Sequence, residues 1–171
     1  MQIPQLKQKL ADSFQETIEW LKAQEAEKFE KGPSEKWDTS QHLDHLINVS
    51  KSINTGLRIP KFMIRYRFGK PNRPSRNYEA IVARYQEKLK GLAPGAAPGG
   101  KKHPITKKGS LLKKFEGQSK NVNKAIDKWT EADLDNYLFP HPLLGKMTVR
   151  ELLLWMTYHN YHHLKNLKEN Y

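Results

Sequence analysis

Histidine carries the chemistry that can be read from this chain. Near the C-terminal end runs His159-Asn160-Tyr161-His162-His163, in which His159 and His163 are four residues apart and share one helical face. Traced backwards, that face gives Leu152, Trp155 and Met156, so the two imidazoles continue a stripe that points at a core. Two imidazoles buried side by side without compensation cost polar desolvation. A metal ion takes one nitrogen from each and leaves the other for a neighbouring acceptor. The same pair also suits two satisfied bundle histidines or a His-rich helix end on the surface, so it does not define a site alone. A third ligand would, and the candidates are His42 and His45 in QHLDHL. On a wheel centred on Leu43, Leu46, Ile53 and Leu57, His42 lies nearer the middle of the apolar face and His45 nearer its border. The wheel mildly favours His42. His45, one turn before Val49, can still face inward at the rim, where a metal open to substrate belongs.

Cysteine is absent, which excludes disulfides, thiolate ligands and a cysteine nucleophile; any metal must sit on His, Asp or Glu. Asp44, beside His45, is a candidate orienter of that ring. His162 is expected on the flank of its helix, and His141, in FPHPLLG, either stands near the site or packs its own turn. Trp37, Trp155 and Tyr158 read as core or pocket wall. No acid occupies a position that marks it as a general base, so catalytic residues stay unassigned.

The elements that must position these residues are helices. Pro4 suits a first helical turn, and Leu6, Leu10, Phe14, Ile18 and Leu21 predict one long amphipathic helix over 5–30, stopped by Gly32-Pro33. Asp38 and Gln41 form a capping box for a second helix, which runs to about Gly56. From Arg58 the pattern dissolves into RIPKFMIRYRFGKPNRPSR and, at the far end, LAPGAAPGGKKHPITKKGS, both expected as loop. Between them Tyr78, Ile81, Val82, Tyr85 and Leu89 keep helical spacing and predict a short extra helix on the outside. A third main helix is expected over 110–129, with Leu111, Leu112, Phe115, Val122, Ile126 and Trp129 inward. Thr148 and Glu151 form a second capping box ahead of a last helix to about Glu169. The pattern offers no strand pairs. An all-α, four-helix, single-domain architecture over 1–171 is expected, with a basic, loop-rich insertion at roughly 58–109.

The formal charge of +12 is local. From Arg58 to Lys120 there are 17 Lys and Arg against three acids, while the rest of the chain carries 13 against 15. Aromatics interleave the cations between Arg58 and Arg76, which suits phosphate contact or single-strand stacking, although no nucleic-acid motif matches. A non-enzymatic bundle that binds nucleic acid or another acidic partner through this segment is therefore the alternative to an enzyme. The N-terminus MQIPQLKQKL lacks an apolar leader core and no window is apolar enough to span a bilayer, so a cytoplasmic protein without a membrane partner is expected.

Trp37 eight residues before His45-Leu46, the Pro-rich middle, and HPLLGKMTVRELLLWMTYHNYHHLKN with its HPxxG-x-(M/L)-T turn together resemble the DinB-like (DinB/YfiT-like) superfamily of metalloenzymes. The likeness covers the second helix and everything from about Trp129 onward. It implies a four-helix bundle and a divalent ion held by a histidine of the Trp-x7-His-Leu stretch and by the outer histidines of a terminal His-x3-His: His45, His159 and His163. Three neutral imidazoles leave a coordination position open, as in catalytic sites. Zinc, nickel, iron, copper and manganese are all compatible with such donors, and nothing selects among them. A water or thiol at the open position loses its proton more easily, which suits hydrolysis or S-transfer; the likeness implies the second, with a small-molecule substrate and a low-molecular-weight thiol such as bacillithiol, mycothiol or glutathione, and pairing as a homodimer. His42, Asp44, His141, Trp155 and His162 are the candidate neighbours of the site. Nucleic acid is the less favoured partner.

Overall fold

The computed structural model describes residues 1–32, 36–92 and 99–170. Its helices are α1 (Ile3–Ala23), α2 (Ala26–Glu30), α3 (Thr39–Gly56), α4 (Lys61–Phe68), α5 (Tyr78–Lys90), α6 (Lys108–Ile126), α7 (Glu131–Asn136) and α8 (Val149–Asn170). The architecture is all-α, and the four long helices close a bundle: α3 packs on α6, α6 on α1, α1 on α8, and α8 on α3. Each turns its apolar stripe inward. Leu6, Leu10, Phe14, Ile18 and Leu21 of α1 are all buried, and Phe14 meets Phe115 of α6 with ring centroids 4.7 Å apart.

Cross-helix contacts give the directions. Arg150, in the first turn of α8, bonds the Met1 carbonyl and Asn160 bonds Ser13, so α1 and α8 run parallel. Trp129 just beyond α6 donates to the Leu57 carbonyl just beyond α3, and Asn54 bonds Gln118, so α3 and α6 also run parallel. Lys108 at the start of α6 reaches carbonyls at the end of α1, which sets the two parallel pairs against each other. The order is up, down, down, up.

That order explains the long middle segment. Two successive parallel helices need a connection that returns along the bundle, and 18 residues of α3 are about 27 Å of helix. The crossover is more structured than the loop-rich reading of it. KFMIRYRF forms α4, capped at Pro60, because Ile64 is buried and Phe68 packs on Phe139. Arg73 and Arg76 grip Glu151, which is fully buried: the Arg73 guanidinium donates to both carboxylate oxygens at 2.6 and 3.0 Å, and the Arg76 backbone N–H donates at 2.7 Å. Glu151 also accepts from Thr148 N, as the capping box at the start of α8 requires. The loop reading of 92–110 falls partly on residues outside those described.

Three further boundaries differ from the periodicity. The helix expected over 5–30 breaks at Gln24-Glu25 into α1 and α2. The third main helix starts two residues earlier than expected and stops at Ile126, leaving Trp129 outside it. A small antiparallel hairpin, β1 (Leu138–His141) with β2 (Gly145–Thr148), stands where no strand was expected; Gly145 at φ 74° makes its turn. Its strands are four residues long, too short for an alternating pattern to register.

Candidate metal centre

The antiparallel arrangement of α3 and α8 brings the first two turns of α3 beside the middle of α8 and the turn that follows it. His45 from α3 and His159 and His163 from α8 offer nitrogens that lie within 4.8 Å of one another. His45 Nε2 is 3.2 Å from His159 Nε2, and His163 Nε2 is likewise 3.2 Å from His159 Nε2. Donors about 2.05 Å from one ion at a tetrahedral angle are separated by about 3.3 Å, so the spacing suits a shared cation. His159 and His163 are buried and His45 half-buried, so the cluster opens along the His45 side.

Burial keeps the His159 and His163 rings neutral. Burial first, then the His45 ring, holds His159 well below the ordinary histidine range; burial and then His159 do the same to His163. The lone pairs are therefore free at neutral pH without proton competition. His42 is buried one turn before His45 on α3, and its Nδ1 lies 2.8 Å from His163 Nδ1. With His163 Nε2 turned into the cluster, its proton belongs on Nδ1 and is donated to His42, which fixes both tautomers. Burial lowers His42 to about 4, which keeps it a neutral acceptor.

His159 is held differently. Its ring lies on Trp155, with centroids 4.5 Å apart and planes 31° apart, and its Nδ1 is buried with no hydrogen-bond partner among the described residues. The donor chemistry and the spacing fit a divalent ion.

The remaining candidates divide. Trp155 walls the site, and Trp37 does so from the other side: its ring stacks over His163 at 5.9 Å and 13° and lies 5.1 Å from His45. The Asp44 carboxylate accepts from the Lys101 N–H, from Asn48 and from the His103 ring at 2.8 Å, so it anchors the crossover. His141 accepts the Leu143 and Leu144 N–H groups on Nδ1 and packs on Trp155, the turn-packing role. His162 is half-buried and bonds Asn166, its ring 5.5 Å from His163.

Two contributors escape a reading of the sequence. Tyr85 of α5 sets its buried ring against Trp155, His159 and His162, at 5.7 to 6.3 Å. Its helical spacing is visible in the chain but its target is not. Gly100, in a stretch poor in core residues, is buried so tightly on α3 that a Cβ there would stand 1.9 Å from the Gln41 carbonyl oxygen. Segment 99–103 is thus strapped over the turn that carries His45, and Lys101 and His103 bond Asp44 from it.

No curated protein matches this chain. A family model of the DinB superfamily matches residues 9–167, nearly the whole sequence, and with the bundle and histidine cluster in view the chain belongs to the DinB superfamily.

Proposed function

We propose that this chain is a metal-dependent enzyme, a thiol-dependent S-transferase or a hydrolase, with His45, His159 and His163 as ligands of one divalent ion. The convergence of three Nε2 atoms with no carboxylate among them supports this reading most. Such a cation, when bound, supplies Lewis acidity that eases deprotonation of a water or thiol. The protein's own groups do the rest. Neutral donors leave the ion's charge undiminished, His42 holds the His163 proton away from the site, and Trp37 and Trp155 shield the rings from bulk water. The half-buried His45 side is the approach for substrate.

The alternative, a binding module working through its basic middle, has less to draw on. Of the seven Lys and Arg in 58–76, Lys61, Arg73 and Arg76 already face Asp133 or Glu151. Elemental analysis of protein purified without an affinity tag tests the proposal. About one divalent ion per chain is expected, with strong loss in His45→Ala and His163→Ala; content unchanged in both overturns the ligand assignment. Turnover of an electrophile then separates the reactions. An adduct carrying the thiol's sulfur identifies a transferase, and a water-derived product formed without thiol identifies a hydrolase.

A further inference from the structure

Helix α4 is fastened on one side and bare on the other. Inward, Ile64 is 1% exposed, Phe68 meets Phe139, the Lys61 ammonium bonds Asp133 at 2.5 Å, and the Arg65 guanidinium lies over the Tyr137 ring at 4.7 Å. Outward, Phe62 is 74% exposed, Met63 50% and Tyr66 94%. Apart from Met1 these are the exposed large apolar side chains among the described residues, and all three sit within two turns of one eight-residue helix. An open hollow of about 920 Å³ runs beside them, lined also by Ile59 and Phe68 and by no histidine. Because the inner face is pinned at four points, the bare face is a built surface and not a frayed end.

Charge frames this surface. No Asp or Glu occurs from Arg58 to Tyr78, and Arg58, Arg67 and Lys70, all exposed, form no ion pair among the described residues. A second copy of the chain laid face to face would set these cations against themselves. A nucleic-acid strand would suit the charge, but Met63, between the two rings, offers it nothing to stack on. An anionic lipid surface answers both features. Its headgroups meet the arginines and lysine, and its acyl boundary takes a phenyl, a thioether and a phenol, the last keeping its hydroxyl at the headgroup level. We propose that α4 docks this protein on anionic membrane surfaces, with Phe62, Met63 and Tyr66 inserted and Arg58, Arg67 and Lys70 around them. The expectation of no membrane partner rests on the missing spanning segment, and a surface contact needs none.

Flotation of the full chain with phosphatidylcholine vesicles, with and without phosphatidylglycerol, tests this. Binding is expected only with phosphatidylglycerol, weakening as salt is raised. The triple variant Phe62→Ser, Met63→Ser, Tyr66→Ser and the triple reversal Arg58→Glu, Arg67→Glu, Lys70→Glu should each lower partitioning by at least about tenfold, with helical content and metal content unchanged. Absence of binding at low salt overturns the proposal, as does binding that survives both variants. A single-stranded oligonucleotide bound in place of vesicles, or a dimer that the serine variant dissociates while vesicles are ignored, overturns it in favour of those partners.

Discussion

At the scale of single residues, one hydrogen bond and one buried ring carry predictions. His42 Nδ1 lies 2.8 Å from His163 Nδ1, the nitrogen turned away from the cluster, and would accept its proton when His163 Nε2 holds an ion. His42→Phe fills the space but removes the acceptor, so chelator competition should show metal affinity reduced about 10- to 100-fold, with the fold intact by circular dichroism. His141 is a second case. Burial lowers it to about 4, and two backbone N–H groups already aim at its Nδ1, where a second proton would have to go. Below the unfolded value of roughly 6.5 the unfolded chain takes up a proton that the folded chain refuses. Stability is therefore fully present above about pH 6.5 and lost as pH falls towards 4. Between about pH 7.5 and pH 5 this residue should account for about 2 kcal/mol of the loss in urea unfolding. His141→Asn, which keeps an acceptor but does not titrate, should remove that share. The i, i+4 spacing makes His159 and His163 legible in the sequence alone, and the wheel places His42 deeper than His45, in agreement with their burial. That His42 would meet a histidine and not an acid is not legible, because the pairing joins residues 121 positions apart.

Among the elements, those whose stability is local are the ones the sequence announces. The capping boxes at Asp38 and Thr148 are formed as their spacing requires, and α5 appears where Tyr78 to Leu89 put it. Elements held by distant partners stay hidden. Helix α4 buries only Ile64 among its eight residues, a stripe too thin for periodicity to find. The strap at 99–103 offers a glycine where a side chain would be the usual clue. That glycine makes the strap testable. Gly100→Ala drives a methyl into the Gln41 carbonyl, a backbone atom that cannot swing aside, and should cost about 2 kcal/mol in chemical denaturation. Gly109→Ala, in the first turn of α6 with nothing within 4 Å, should instead gain up to about 1 kcal/mol.

For the molecule as a whole, the up, down, down, up order sets the site. In a simple alternating bundle the second and fourth long helices run the same way, which would put the start of α3 and the end of α8 at opposite ends. The long crossover frees the chain from that order, and its length is the one visible sign of it. Helices α3 and α8 are also the sparsest pair in the ring, in contrast to α3 with α6 and α1 with α8. An ion gripped by one ligand from α3 and two from α8 therefore acts as a clasp on the weakest seam of the barrel of helices. Metal at about 100 times its dissociation constant should raise stability by about 2.7 kcal/mol, an increment absent in His163→Ala. Amide exchange should localise the gain, slowing most at the opening turns of α3 and at the middle of α8 and the turn that follows it, while α1 and α6 keep their rates. The histidine cluster would then double as a latch, and whatever strips the ion would let that corner of the protein breathe.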